Sequence, residues 1–191
     1  MIRALIFDCF GVLYRDNIDM LFDLVPLDKQ QAIHDIIHAC DHGFISRSEY
    51  FDAIAELSGK TSDEIRELDR KQHSRNEQLV AYARELKANY KIGLLSNIGN
   101  ETMDRLFPVE ERTALFDAFV LSSQVGISKP SREIFELTAR ELGVAPEECI
   151  MIDDLMKNVD GAQVAGMKAI LFTSNRQFQL DLQATVEADR A

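Results

Sequence analysis

Four groups of residues in this chain carry side chains that could do chemistry together: Asp8, Ser96-Asn97, Lys129-Pro130 and Asp153-Asp154. Asp8 follows the mostly apolar run Ile2, Leu5, Ile6, Phe7. Such a run reads as a buried parallel strand and would deliver the Asp8 carboxylate to the carboxyl edge of a sheet, where open α/β folds bind ligands. Gly11 then permits a sharp turn and a close approach of backbone to ligand. From this segment alone, an aspartate that merely caps a turn is an equal reading.

Asp153-Asp154 directly follow Cys149–Ile152, a second apolar run. Two adjacent carboxylates leaving a buried strand repel each other. A hard dication between them and Asp8 would make that proximity favourable, which suggests magnesium, whereas an acidic helix amino terminus stabilised by the helix dipole is the alternative. Asn158, four residues beyond Asp154, would share its helix face and orient it. Ser96-Asn97 offers a hydroxyl and successive backbone N–H groups at a helix entrance, a place for an anion, although Ser and Asn are also ordinary helix caps. Lys129 precedes a predicted helix in a chain with few basic residues at predicted strand ends; alone it would read as a solvated cation.

The elements that must position these groups fall into two regimes. From Asn17 to about Asn76 the pattern is helical, with Ile33, Ile36, Ile37 and Cys40 on one stripe and Tyr50, Phe51, Ile54 and Leu57 on another. Ser46 with Glu49 and Thr61 with Glu64 have capping-box spacing, and Gly43 and Gly59 stand where helices would end. After Glu77, helices alternate with short apolar strands, which predicts βαβ units and a parallel sheet. The expected strands are Lys91–Leu95, Ala118–Leu121, Cys149–Ile152 and Ala169–Phe172; the expected helices are Gln78–Ala88, Asn100–Phe107, Ser131–Leu142, Leu155–Ala165 and Phe178–Ala188. The first strand then joins the later ones in one sheet, giving an α/β core over residues 1–16 plus 77–191 and a helical insertion over 17–76.

Composition bounds the partners. The 191 residues, 46% hydrophobic and 28% charged, suffice for a sizeable core, so one domain with an insertion is expected. The net charge of −11 argues against non-specific binding to nucleic acid or an anionic membrane, and leaves a small anionic substrate open. No apolar run approaches the roughly 18 residues that span a bilayer, and the amino terminus lacks a signal-peptide pattern, so a cytoplasmic location is expected. The three cysteines, Cys9, Cys40 and Cys149, are odd in number and lack metal-site spacing, which fits reduced thiols.

Taken in order, the motifs Ile6-Phe7-Asp8-Cys9-Phe10-Gly11-Val12-Leu13, Leu94-Leu95-Ser96-Asn97, Lys129-Pro130 and Ile152-Asp153-Asp154 resemble the four motifs of the haloacid dehalogenase superfamily of hydrolases, in the branch with a helical cap inserted after the first strand. The resemblance covers essentially the whole chain. It implies a Rossmann-like parallel sheet in a three-layer αβα core, and a magnesium-dependent phosphatase acting on a small phosphorylated metabolite. It further implies that Asp8 is the nucleophile that forms an aspartyl-phosphate. Magnesium would be held by Asp8, the backbone carbonyl of Phe10, Asp153 and Asp154. Ser96, the Asn97 backbone and a catalytic Lys129 would hold the transferring phosphoryl group. Positive electrostatics at the peripheral oxygens and a carboxylate nucleophile suit that chemistry.

One position departs from the pattern. Phosphatases of this family usually carry a second Asp two residues after the nucleophile, as proton donor to the leaving group, and this chain has Phe10. Three consequences are open: a slow phosphatase, a substrate with a good leaving group, or a proton carrier from the insertion, where His34, His38, Asp41 and His42 lie. Family dehalogenases carry an aromatic residue there and a Ser-Asn second motif, which keeps a 2-haloacid dehalogenase as a rival; they lack the paired fourth-motif carboxylates that this chain has. A non-catalytic protein that binds a phosphorylated ligand is the third reading. His34, His38 and His42, spaced by four, read as a solvated face rather than a metal site, and Cys9 as a small core residue.

Overall fold

The computed structural model describes residues 1–15, 19–41, 44–72, 74–98 and 100–190; Asn17, His42 and Gly43 lie outside them. In chain order the elements are β1 (Ala4–Phe7), β2 (Tyr14–Arg15), α1 (Asp19–Phe22), α2 (Gln30–Asp41), α3 (Arg47–Ser58), α4 (Ser62–Gln72), β3 (Ser74–Arg75), α5 (Glu77–Leu86) and β4 (Lys91–Ser96). They continue with α6 (Asn100–Leu106), α7 (Val109–Leu115), β5 (Ala118–Leu121), α8 (Ser122–Val125), α9 (Arg132–Glu141), β6 (Cys149–Asp153), α10 (Met156–Val164), β7 (Lys168–Leu171) and α11 (Asn175–Arg190).

β1 lies at the centre of a five-stranded parallel sheet of order β5-β4-β1-β6-β7. Its side chains alternate between the faces, as the two-residue period of a strand requires. Leu5 and Phe7 pack with Leu79, Val80 and Ala83 of α5 and with Phe178 and Leu182 of α11. Ala4 and Ile6 pack on the other side with Ile134, Phe135 and Ala139 of α9 and Ala162 of α10. Burial on both faces explains why β1 shows no polar alternation, and it makes the core a three-layer αβα sandwich. Each fully buried large apolar side chain here, such as Phe7 or Phe178, contributes about 1.5–3 kcal/mol.

The insertion has an apolar cluster of its own, built from Leu21, Ile33, Tyr50, Phe51, Ile54 and Ile65. Its helices start and stop where the side chains dictate. The Ser46 hydroxyl accepts from the Glu49 N–H and the Glu49 carboxylate accepts from the Ser46 N–H; Thr61 and Glu64 repeat the arrangement. Gly59 ends α3 in the left-handed conformation, at φ 70°.

The helical reading extends too far at one place. Ser74 and Arg75 form β3, which pairs antiparallel with β2 and closes the base of the insertion, Tyr14 opposite Arg75 and Arg15 opposite Ser74. Two-residue strands carry no readable period, so the sequence pattern could not separate them from the neighbouring helices. The same holds for the short helices α7 and α8. Two other boundary shifts matter for the site: β4 and β6 each run one residue past the expected end, taking Ser96 and Asp153 into the sheet. No described helix is long and apolar enough to cross a membrane.

Candidate active site

The parallel register sets the site. Phe7 pairs with Leu94 on one side and with Ile152 on the other, and the Asp8 N–H continues the ladder to the Ile152 carbonyl at 2.9 Å. Asp8, Ser96 and Asp153 therefore leave the same edge of three adjacent strands, and all three are buried. One carboxylate oxygen from each of Asp8, Asp153 and Asp154 lies within 4.8 Å of the others, the one such ligand group among the described residues.

Lys129 enters from the segment before α9. Its Nζ lies 2.9 Å from Asp8 Oδ1 and 2.6 Å from Asp153 Oδ2, with the residue only 3% exposed. Three carboxylates thus surround one ammonium, which pairs with two of them, and full ionisation leaves two negative charges uncompensated. Burial, together with Asp153 and Asp154, pushes the Asp8 carboxyl up to about 7 even though Lys129 pulls against it. Burial and then the charge of Asp153 raise Asp154. For Lys129, burial opposes the charged form, but Asp8 and Asp153 outweigh it and hold its pKa above that of an ordinary lysine. An all-oxygen donor set with surplus negative charge is what a small, hard dication requires, so the residues present fit such an ion.

Local structure fixes each partner. Asp153 Oδ1 accepts from the Leu155 N–H at 3.0 Å and from Asn158 Nδ2 at 2.9 Å. Asn158 therefore orients Asp153, not Asp154 as the four-residue spacing suggests. The reason is that α10 begins only at Met156, so Asp154 is not on its face. Gly11 adopts φ 79°, and a Cβ there would lie 2.2 Å from the Asp154 carboxyl carbon, so no other residue leaves room for that carboxylate.

Two contributors escape the sequence. The Asn97 side chain makes a reciprocal pair with the Lys129 main chain: Nδ2 donates to the Lys129 carbonyl at 3.0 Å, and Oδ1 accepts from the Lys129 N–H at 2.9 Å. Ser96-Asn97 is thereby joined to Lys129-Pro130, across 32 residues of sequence that no local signal spans. Gly161 is the second. A Cβ at that position would stand 2.5 Å from the Pro130 carbonyl oxygen, so its absence lets α10 press against the segment that presents Lys129.

The side chains of the remaining candidates lie in apolar surroundings or in the insertion. Phe10 is half-buried against the apolar cluster beneath β1 and bridges to Tyr14. Cys9 is fully buried in that cluster, and none of the three cysteines forms a disulfide. His34 lies against the Phe22 ring, and neither His34 nor His38 joins a metal-type cluster among the described residues.

Known proteins are similar to this chain in sequence and in fold. The chain is 24% identical to a drimenol cyclase of Aspergillus calidoustus over 95% of its own length, and 31% identical to a phosphatase of Mycobacterium tuberculosis over 68%. It spans 36% of the first relative and 63% of the second. A haloacid dehalogenase (HAD) family enzyme of Bacteroides thetaiotaomicron, solved with magnesium and inorganic phosphate, superposes with a TM-score of 0.74 at 24% identity, covering 92% of this chain and 96% of that one. The family model for haloacid dehalogenase-like hydrolases matches residues 2–166, which spans β1, the insertion and every strand-end group of the site; the chain belongs to that family of hydrolases.

Proposed function

We propose that this hydrolase is a magnesium-dependent phosphatase acting on a small phosphorylated substrate through an aspartyl-phosphate at Asp8. The observation that carries the reading is the convergence of the Asp8, Asp153 and Asp154 carboxylates around the buried Lys129. The phosphatase among its relatives, and the magnesium and phosphate held by a neighbour of the same fold, support it.

In this account an Asp8 oxygen attacks phosphorus, the bond to the leaving oxygen breaks, and a water later cleaves the acyl phosphate to regenerate the carboxylate. Asp8, Asp153, Asp154 and the Phe10 carbonyl would hold magnesium, which would supply positive charge against the phosphoryl oxygens. Lys129 offsets the negative charge of the nucleophile and of the phosphoryl group. The Ser96 hydroxyl and the Asn97 N–H donate to the peripheral oxygens. Residues 17–76 form the cap that covers the site and excludes water. Phe10 offers the leaving oxygen no proton, so substrates whose leaving group is already stable react fastest.

A panel of phosphate esters and 2-haloacids, each assayed with magnesium and with chelator, tests the reading. Phosphate release that disappears with chelator is expected. Halide release indifferent to chelator would replace it with the dehalogenase, and binding of magnesium and phosphate without turnover would replace it with a ligand-binding protein.

A further inference from the structure

Two connections bring Ser96, Asn97 and Lys129 to the sheet edge. One is the turn after β4, which carries Asn97 and Ile98; the other runs from β5 through α8 to Lys129 and α9. β4 and β5 are neighbours, and their ladder ends with Ser96 opposite Leu121, so the two connections leave the sheet side by side. Past that point strand register no longer sets their relative position, and other hydrogen bonds must. The reciprocal pair between the Asn97 carboxamide and the Lys129 main chain is one such tie, with both of its bonds on the same two residues. A tie at one point fixes a separation but leaves the turn able to pivot about it.

A further bond stands one residue along the same turn. The Ser123 hydroxyl of α8 donates to the Ile98 carbonyl at 2.9 Å, joining the two connections at a second point. Both of its ends are anchored. Ile98 is 3% exposed, and its side chain sits in the apolar cluster that also holds Phe107 and Leu121. On the other connection, the Gly126 N–H closes α8 on the Ser122 carbonyl at 2.9 Å, and the Ser131 N–H closes the turn around Lys129 on the Ser128 carbonyl at 3.0 Å. Planar peptides leave two soft dihedrals per residue, so anchoring the Asn97 side chain and the Ile98 carbonyl together leaves the Asn97 N–H little room to turn.

We propose that Ser123 is a positioning residue: through the Ile98 carbonyl it holds the Asn97 N–H in the direction from which it donates to the phosphoryl oxygens. That the group received is a phosphoryl group rests on the phosphatase reading; that Ser123 holds the turn does not. Donors aimed in advance need no rearrangement when charge arrives, and small misplacements of such donors are costly. A turn released from Ser123 therefore loses affinity for a tetrahedral oxyanion, while the carboxylates at the ends of β1 and β6 keep theirs for the metal.

Inorganic phosphate is the probe, titrated calorimetrically into the full chain with magnesium, and magnesium is titrated separately without phosphate. Wild type is compared with Ser123→Ala, with Ser123→Thr, which keeps the hydroxyl, and with Thr113→Ala. Thr113 is the matched control: its hydroxyl also donates to a main-chain carbonyl, that of Val109 at 2.8 Å, on the exposed face of α7. Ser123 is half-buried, and circular dichroism verifies that its variants fold. The expected result is phosphate affinity weakened about three- to tenfold in Ser123→Ala, with magnesium affinity unchanged, the threonine variant within about twofold of wild type, and no effect in the control. A merely structural hydroxyl would move the unfolding temperature and leave phosphate affinity alone. Equal phosphate affinity in wild type and Ser123→Ala overturns the proposal, as does an equal loss of magnesium affinity, which would mean a general loosening of the sheet edge. A second arm needs neither substrate nor anion: ¹⁵N relaxation of the full chain reads the order parameters of the Asn97 and Ile98 N–H groups, which should fall in Ser123→Ala. Unchanged values overturn the proposal. A wild-type chain that binds no phosphate with magnesium would defeat the phosphatase reading and leave this second arm to decide the role of Ser123.

Discussion

Phe10 stands where the resemblance to phosphatases of this family implies a second Asp, and its half-buried ring contributes packing where a carboxylate would contribute a proton. If the site is otherwise complete, Phe10→Asp should speed hydrolysis of esters with poor, alkoxide-like leaving groups by up to ~10²-fold, and activated aryl esters by much less. Desolvation of the new charge sets the limit. Turnover of both ester types in a folded, magnesium-binding variant is the measurement; no gain on either means that Phe10 is not the missing-acid position. At this scale the candidate residues were legible in part. Asp8 and Asp153 each stand directly beyond an apolar run, whereas Lys129 alone reads as a solvated cation and only its company raises it. Asn158 was assigned to the wrong carboxylate because spacing along a presumed helix carries no information about where the helix starts.

Elements decide how those residues meet. Ser96 and Asp153 end strands that flank β1, so hydrogen-bond register places them beside Asp8 without any further device. Lys129 is different: it lies on a connection, and the Asn97 carboxamide and the Gly161 notch fix that connection to β4 and α10. Asn97→Ala removes both hydrogen bonds to the Lys129 main chain. The expected cost is about 1–3 kcal/mol in urea unfolding, together with a fall in kcat/KM for phosphate esters that exceeds the loss of magnesium affinity. Unchanged stability and turnover would show that the pair does not position Lys129. The strands, the long helices and the capping boxes at Ser46 and Thr61 were all readable, since periodicity and end signals are local. The β2–β3 closure and the Asn97–Lys129 tie were not, because they are contacts between distant segments.

The whole molecule is acidic, and its most buried charges are concentrated at one sheet edge, so its stability without metal should depend on pH through that edge. Asp8 titrates near 7 in the folded chain against an ordinary 3.8. A carboxyl raised on folding contributes stability that is complete below about pH 4 and is lost as pH rises through 7. Asp154, raised in the same direction, adds to the trend. Magnesium favours the ionised carboxylates, so its stabilising effect should run the other way. The rise in Tm on adding magnesium should be larger at pH 8 than at pH 5.5, and Asp154→Asn should reduce that difference while raising the Tm of the metal-free protein. A magnesium effect on Tm independent of pH would remove these carboxylates from the metal site. The central claim is that phosphorus is transferred to Asp8, and acid-quenching the enzyme during turnover of a phosphate ester with magnesium tests it most directly. The account predicts a phosphoryl group on the peptide that contains Asp8, and neither that group nor turnover in Asp8→Asn. Hydrolysis by Asp8→Asn at the wild-type rate, or a phosphoryl group on another residue, would contradict it.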